Sequence, residues 1–165
     1  MTEIRPVTEE DAQVLLGIYA PYVLDTAITF EYEVPTIEEF VSRIKSISKK
    51  YPYLVAEDAG KVVGYAYADT YNSRDAYNWT VEISIYVDSQ FRGQGIGKML
   101  YHELEQKLLQ QKIVNILACI TEQNTSSIRF HERMGYELVG TFKKVGFKFD
   151  TWYDIVWMQK KLVDQ

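Results

Sequence analysis

The segment from Arg92 to Lys98, which reads R-G-Q-G-I-G-K, combines the residue types best suited to holding a charged ligand. Its glycines allow the backbone to approach a ligand closely with its N–H groups pointing outward. A helix is predicted to begin in this segment, and a helix start carries roughly half a positive charge. Together these features favour a cradle for a diphosphate, although a plain tight turn would use the same glycines.

Two familiar phosphate-binding motifs do not fit this segment. A P-loop needs a glycine where Arg92 stands and a Ser or Thr where Met99 stands. A dinucleotide fingerprint that starts at Gly93 needs its third glycine where Lys98 stands, and an acidic residue about 20 positions further on. Residues 113–121 contain no acidic side chain, so both motifs fail at more than one position.

The periodicity of apolar residues predicts the elements that position this loop. Helices are predicted between Thr8 and Pro21, from the T-x-x-E box at 36–39 onward, over 96–111 and over 126–134; strands are predicted over 53–57, 62–69, 80–87, 113–120, 136–142 and 152–160. This order predicts an α+β, or mixed α/β, architecture with helices around one sheet. A chain of 165 residues suits one domain, so we expect residues 1–165 to form a single unit.

Composition and charge narrow the classes of function. The 47% hydrophobic and 25% charged residues are ordinary for a globular protein, and the net charge of -5 disfavours nucleic-acid binding, which needs a basic surface. Cys119 is the lone cysteine and lies among apolar neighbours in a predicted strand, which predicts a core position and suits a reducing compartment. The first residues lack signal-peptide features and no apolar run could cross a bilayer, so we expect a cytoplasmic protein without membrane partners.

Two motifs carry a resemblance to a known superfamily. The R-x-x-G-x-G pattern of Arg92, Gly95 and Gly97 resembles the acetyl-CoA loop of the GNAT N-acetyltransferases, and residues 124–136 resemble their second signature, in which an Asn precedes a helix ending in Gly and an aromatic residue. The resemblance implies a GNAT-type fold with a mixed, mostly antiparallel sheet, acetyl-CoA as co-substrate and no metal. The cofactor-binding residues that it implies are Ile85, Tyr86, Val87, Arg92, Gly93, Gln94, Gly95, Ile96, Gly97, Lys98, Asn124 and Ser127.

A narrower resemblance concerns the acceptor. Residues 29–31, 74–82, 130–132, 146–148 and 152–154 are similar to the phosphinothricin acetyltransferase family. This likeness implies a small-molecule amine as the partner: a small amino acid, or an analogue such as phosphinothricin, methionine sulfoximine or methionine sulfone. It also implies a homodimer, which composition and spacing do not predict.

The same resemblance assigns roles to individual side chains. An α-amine acceptor with a pKa near ~8 is mostly protonated at neutral pH, so a base would raise the reactive fraction. Glu82, on the strand face opposite the Val and Ile row, is the candidate base; an exposed strand carboxylate without a catalytic role would show the same pattern. His131 stands where most of the superfamily has a Tyr that protonates the leaving thiolate. It could donate that proton, orient the substrate or contact the cofactor.

The substrate-binding candidates are Phe30, Glu31, Arg74 and Tyr77. Arg74 offers a planar fork to a carboxylate or phosphinate, and the aromatic residues would line the pocket, unless they serve only to pack the core. With Cys119 interpreted as a core residue and not a nucleophile, direct transfer in a ternary complex is favoured over an acyl-enzyme. Acetylation of a peptide N-terminus or an antibiotic amine, and a non-catalytic acetyl-CoA sensor, remain as alternatives.

Overall fold

The computed structural model describes residues 1–164. Its strands are β1 (Thr2–Pro6), β2 (Tyr53–Asp58), β3 (Lys61–Thr70), β4 (Thr80–Val87), β5 (Asn115–Thr121), β6 (Glu137–Lys148) and β7 (Thr151–Lys161); its α-helices are α1 (Ala12–Asp25), α2 (Ile37–Ser48), α3 (Ile96–Gln110) and α4 (Thr125–Arg133). The strands form one sheet in the order β1-β2-β3-β4-β5-β7-β6. The predicted α+β architecture with a mixed, mostly antiparallel sheet is confirmed.

One strand pair departs from the antiparallel pattern. Strands β4 and β5 are parallel, and their register covers only Thr80–Glu82 against Asn115–Leu117. Beyond that point β4 runs on to Val87 and β5 to Thr121 without pairing with each other. The sheet therefore has a gap between two central strands, and this gap organises the site described below.

The helices cover the two faces of the sheet. Helices α1 and α2 bury Leu15, Phe40 and Ile44 against one face, together with Val55 and Tyr65 of the sheet. Helix α3 buries its apolar side, including Leu100, Leu104 and Leu108, against the other face. Burying each fully apolar side chain contributes about 1.5–3 kcal/mol, so the two layers hold the central strands from both sides.

The start of the chain differs from the prediction. The sequence predicts a helix as the first element, whereas residues Thr2–Pro6 form an edge strand paired with β2. Alternating burial is weak there, and the edge is held instead by Arg5, which donates to Asp11 at 2.9 Å and to Glu57 at 3.1 Å. Charged side chains do not contribute to the apolar periodicity from which strands are predicted. This explains why the sequence does not predict β1.

Helix α1 also differs from the prediction, because it continues through Pro21 to Asp25. A proline inside a helix removes one backbone hydrogen bond and costs about 3 kcal/mol. Tyr22 and Val23, which follow it, are 8% and 1% exposed. Burial of these two residues offsets the lost bond and extends the helix towards the gap.

Strand β6 reaches Lys148, six residues beyond the predicted end at 142. Its register against β7 shifts between Phe142 and Gly146, and Lys144 there has a φ of +50°. Such a bulge breaks the alternation on which strand prediction relies. The hairpin of β6 and β7 is therefore longer than the sequence indicates.

Two kinds of feature are absent from residues 1–164. No helix in this range combines the length and apolar character required to cross a membrane. In the same range, no three His, Cys, Asp or Glu side chains come together in an arrangement that could hold a metal ion.

Candidate active site

The glycine loop joins the end of β4 to the start of α3. Gly93 and Gly95 have φ values of +78° and +80°, a left-handed conformation that other residues adopt only at a cost. Gly95 is the N-cap residue of α3. A Cβ on Gly97 would lie 3.1 Å from Phe130 Cζ, so this glycine allows the start of α3 to approach α4 closely. The loop thus combines backbone in a left-handed conformation with the N-terminus of a helix.

A cleft of about 640 Å³ lies against this loop. Ten of the twelve predicted cofactor residues line it: Ile85, Val87, Arg92, Gly93, Gly95, Ile96, Gly97, Lys98, Asn124 and Ser127. Gln94 is exposed outside the lining, and Tyr86 points to the other face of the sheet. Lys98 and Arg133 supply positive charge, and amides at a helix start favour anions. The residues present therefore fit the diphosphate of coenzyme A.

Arg92 is engaged by the protein itself. Its Nη2 donates to the Tyr22 hydroxyl at 2.9 Å, and its guanidinium lies 5.4 Å from the centre of the Tyr22 ring. The Tyr22 hydroxyl donates in turn to the carbonyl oxygen of Val87 at 2.5 Å. This chain of contacts ties the glycine loop and the end of β4 to α1. Sequence reasoning missed Tyr22 because it lies beyond the proline expected to end that helix.

Asn124 both lines the cleft and caps α4. Its Oδ1 accepts a hydrogen bond from Ser127 N at 3.4 Å. Asn124 therefore both caps α4 and forms part of the wall of the cleft. Arg133, in the last turn of α4, is a second cleft residue that the sequence reading did not single out.

The gap between β4 and β5 contains a smaller cavity of about 60 Å³. It shares Ile28, Ile85, Asn124 and Ser127 with the larger cleft, so the two cavities adjoin. Its lining draws on both faces of the sheet: Tyr101, Ala118 and His131 on the α3 side, and Ser84, Tyr86 and Cys119 on the α1 side. The gap is thus lined from both faces of the sheet, and we refer to it as the passage.

Glu82 is the last residue of β4 that pairs with β5; it lies outside the lining of both cavities, next in the strand to Ile83, which lines the smaller one. Its direct cross-strand neighbour on β3 is Asp69, and Tyr67 of β3 and Cys119 of β5 are also nearby. Burial, and secondly the charge of Asp69, raise the pKa of the Glu82 carboxyl above its usual value. Among residues 1–164 Glu82 makes no salt bridge. A carboxylate with a raised pKa is a stronger base.

His131 is buried at 2% exposure with both ring nitrogens engaged. Nδ1 lies 2.7 Å from the carbonyl oxygen of Ser127, and Nε2 lies 2.8 Å from the Tyr101 hydroxyl. A carbonyl only accepts, so Nδ1 donates and Nε2 accepts the Tyr101 proton. Burial lowers the pKa of the imidazole. The neutral ring therefore fixes the Tyr101 hydroxyl at the wall of the gap.

Glu31 is committed to contacts within the protein. It accepts from both terminal nitrogens of Arg43, at 2.6 and 2.8 Å, and from the Tyr19 hydroxyl at 2.6 Å. The Arg43 guanidinium lowers the pKa of the Glu31 carboxyl. A bidentate ion pair of this kind orders the loop that carries it.

The other predicted substrate residues lie outside the lining of both cavities. Phe30 packs against Tyr153, with ring centres 6.2 Å apart, and against Gly146. Arg74 and Tyr77 are exposed on the loop between β3 and β4, and within the described chain Arg74 has no ion-pair partner. The structure thus leaves the Arg74 guanidinium available to an anion from solution.

The predicted core position of Cys119 is wrong, because this residue is exposed. The strand alternation of β5 turns its thiol to the α1 face, beside Glu82. Partial enclosure by its neighbours, and then the charge of Glu82, raise the pKa of the thiol to about 11. The thiol is therefore protonated at neutral pH and is a poor nucleophile.

Comparison with known proteins adds two curated relatives. The chain is 35% identical to phosphinothricin N-acetyltransferase of Streptomyces viridochromogenes over 96% of this chain and 86% of that protein. It is 31% identical to the L-methionine sulfoximine/L-methionine sulfone acetyltransferase of Salmonella typhimurium over 96% of this chain and 94% of that protein.

A solved structure and a family model agree with these relatives. The crystal structure of a phosphinothricin acetyltransferase from Sinorhizobium meliloti in complex with AcCoA is 37% identical, with a TM-score of 0.93 over 97% of this chain and 88% of that one. Residues 4–157 match the family model described as an acetyltransferase (GNAT) domain.

Proposed function

The chain belongs to the GNAT acetyltransferase family, and we propose that it transfers the acetyl group of acetyl-CoA to the α-amine of a small amino acid or an analogue such as phosphinothricin, methionine sulfoximine or methionine sulfone. The passage between β4 and β5 carries this proposal. It adjoins the cleft beside the glycine loop and is lined in part from the face on which Glu82 lies. A thioester reaching the gap from one side would meet an amine arriving from the other.

The cofactor is held mainly by backbone groups. The amides of residues 93–98 at the start of α3 bind the diphosphate, with Lys98 and Arg133 adding positive charge. Residues 85–87 of β4 have no partner strand on the gap side, because the β4–β5 ladder ends at Glu82. Their backbone groups that face the gap, apart from the Val87 carbonyl bound by Tyr22, orient the pantetheine chain, and an N–H there stabilises the oxyanion that develops on the acetyl oxygen.

Glu82 acts as the general base, directly or through water. It accepts the proton that the acceptor ammonium must lose before its nitrogen can attack the acetyl carbon. The nitrogen adds to the acetyl carbon, which forms the C–N bond and the oxyanion; the C–S bond then breaks as the carbonyl re-forms, and the leaving thiolate, with a pKa of about 8.5 in its free form, takes up a proton from solvent. His131 orients the Tyr101 hydroxyl at the wall of the gap, where the acyl group would lie.

Transfer is direct within a ternary complex. The alternative, an acyl-enzyme on Cys119, needs a thiolate, and a thiol with a pKa of about 11 supplies almost none at neutral pH. Arg74 binds the carboxylate or phosphinate of the acceptor, since its guanidinium is unpaired within residues 1–164. Phe30 and Tyr77 provide apolar walls, and Glu31 orders the loop that carries Phe30.

The setting of the activity follows from the same residues. Residues 1–165 act as one N-acetyltransferase domain in the cytoplasm, where Cys119 stays reduced, and acetylation of toxic amino-acid analogues confers resistance to them. Two copies pair through the β6–β7 hairpin. This hairpin exposes Leu138, Val139, Phe142, Val145, Phe147, Phe149 and Trp152, each at least 41%. So many exposed apolar side chains on one edge hairpin favour an interface.

A thiol-release assay tests the acceptor class. Acetyl-CoA is supplied with a panel of amino acids, phosphinothricin, methionine sulfoximine, methionine sulfone, an alanine-terminated peptide and an aminoglycoside. We expect the highest kcat/KM among the amino acids and their analogues. A preference for the peptide or the aminoglycoside would assign the chain to another acceptor class, and binding of acetyl-CoA without turnover of any amine would support a sensor.

A further inference from the structure

Lys148, the last residue of β6, is buried at 3% exposure. Lysine is almost never buried to this extent without a partner, because desolvating its ammonium is costly. It forms no salt bridge among residues 1–164, although the charge of Glu31 acts on it from nearby. The reaction as derived above makes no use of this cation, so its burial calls for another explanation.

The partners of Lys148 are two backbone carbonyls near the end of α1. Its Nζ donates to the carbonyl oxygen of Val23 at 2.7 Å and to that of Thr29 at 2.9 Å. Val23 lies in the last turn of α1, where carbonyls have no partner within the helix. A cation there also interacts favourably with the negative end of the helix dipole. Lys148 therefore caps α1 and holds the next segment of chain at the same time.

The segment so held, residues 26–32, is the loop that carries Phe30 and Glu31. Further contacts join it to the same side of the sheet: Thr121 Oγ1 donates to the carbonyl oxygen of Ala27 at 2.6 Å, and the Tyr32 hydroxyl bonds to the carbonyl of Phe147. A Cβ on Gly146 would lie 2.2 Å from Phe30 Cε2, so the Phe30 ring sits directly against β6. The end of β6 thus fixes the path of this loop.

We propose that Lys148 is a positioning residue for acceptor binding, which sets the loop of residues 26–32, and with it Phe30, at the α1 side of the gap. This inference rests on the proposed function, because it assigns the loop to the acceptor pocket. Lys148 does not touch the reacting atoms. It acts through the two carbonyls that it binds.

The test compares K148M with K148R and with a variant of a second lysine. Met keeps most of the length and apolar volume of Lys but cannot donate, whereas Arg can still donate. Lys160 is the comparison: its Nζ donates to the carbonyl oxygen of Met134 at 2.7 Å, at the end of α4 beside the cofactor cleft, and, unlike Lys148, it also forms a salt bridge with Glu105. We expect K148M to raise the acceptor KM about tenfold or more and the acetyl-CoA KM by a smaller factor, since Ile28 of the same loop also lines the cofactor cleft. K148R should recover most of the loss.

K160M should show the opposite pattern, with the larger effect on the acetyl-CoA KM. Equal effects of K148M on both KM values, or no recovery in K148R, would overturn the positioning role. A second measurement does not depend on turnover: hydrogen exchange of the amides of residues 26–32 should accelerate in K148M and stay unchanged in K160M. Unchanged exchange in K148M would contradict the inference even if the acceptor class proves different.

The wild type could acetylate no amino acid while K148M still accelerates the exchange of residues 26–32. In that case the proposed function is wrong, but the role of Lys148 in holding the loop is not. If K148M unfolds early in thermal melting, two tests remain. They are the kinetics of K148R and the hydrogen exchange of the wild type with and without acceptor. If the acceptor does not slow the hydrogen exchange of residues 26–32 in the wild type, that result contradicts the proposal.

Discussion

Asp69 and Glu82 stand directly opposite each other on the antiparallel strands β3 and β4. Like charges in this arrangement destabilise a sheet, and the charge of Asp69 contributes to the raised pKa of the Glu82 carboxyl. In the proposed mechanism this repulsion is useful, since it makes Glu82 a better proton acceptor. An arriving ammonium would also relieve it.

Replacing Asp69 with Asn should therefore lower the pKa of Glu82. In the proposed mechanism activity requires ionised Glu82, so the acid limb of the pH profile of kcat/KM should shift to lower pH. A profile recorded from pH 5 to 9 checks this. An unchanged acid limb would show that Asp69 does not influence the base.

The same substitution should stabilise the fold at neutral pH. A carboxyl whose pKa is raised in the folded state destabilises the fold when ionised, and this loss grows as pH rises through the raised pKa. We expect D69N to increase the free energy of unfolding at pH 7 by about 0.2–1 kcal/mol. At pH 3, well below the raised pKa of Glu82, that carboxyl is protonated and the difference should vanish. Denaturant titrations at the two pH values measure it.

Replacing Glu82 with Gln removes the base while keeping the shape of the side chain. Turnover should fall by roughly 10²–10⁴ at neutral pH, the range typical of general-base catalysis. The deficit should shrink at higher pH, where the acceptor amine is already deprotonated. A loss of equal size at every pH would argue against a base role.

Gly95→Val should abolish acetyl-CoA binding. The φ of +80° at this N-cap position disfavours any side chain by about 1–2 kcal/mol, and no protein atom lies within 4 Å of the added Cβ, so the side chain would project into open space beside the cleft. Titration calorimetry with acetyl-CoA provides the measurement. Gly140→Ala is the control, because Gly140 also has free space around it but no positive φ. Wild-type affinity in G95V would refute the assignment of the loop.

Arg74→Ala should raise the acceptor KM about 10- to 100-fold, which corresponds to the loss of a hydrogen bond to a charged group. The acetyl-CoA KM should stay within twofold of the wild type. Arg74→Lys should recover only part of the effect, since Lys lacks the planar fork. Parallel changes in the two KM values would remove Arg74 from the acceptor pocket.

The cofactor half of the site was accessible from sequence because it depends on local backbone. Gly95 and Asn124 act through a turn, a helix start and a cap, all of which are encoded within a few neighbouring residues. The parallel pairing of β4 with β5, by contrast, joins residues far apart in the chain. Its early end at Glu82, which opens the gap, leaves no mark in the residues concerned.

The acceptor half depends on long-range pairs, and there the sequence reading was weaker. The sequence predicts Glu31 as a substrate-binding residue, and nothing near it in the chain indicates that Arg43 binds its carboxylate. Cys119 was expected in the core, because apolar neighbours on a strand do not reveal which of its faces is covered. Lys148 lies in a charged stretch that suggests solvent exposure, yet its partners are carbonyls 119 and 125 positions earlier.

The passage between β4 and β5 separates two kinds of recognition. The proposed donor contacts come from the glycine loop and α4, whereas the proposed acceptor contacts come from the loop after α1 and the loop before β4. The two sets meet at Ile28 of the loop after α1, which lines both cavities, whereas Phe30, Arg74 and Tyr77 line neither. A change of acceptor preference therefore needs no new donor machinery, and substitutions in these two short loops offer a direct route to redesigning which amine is modified.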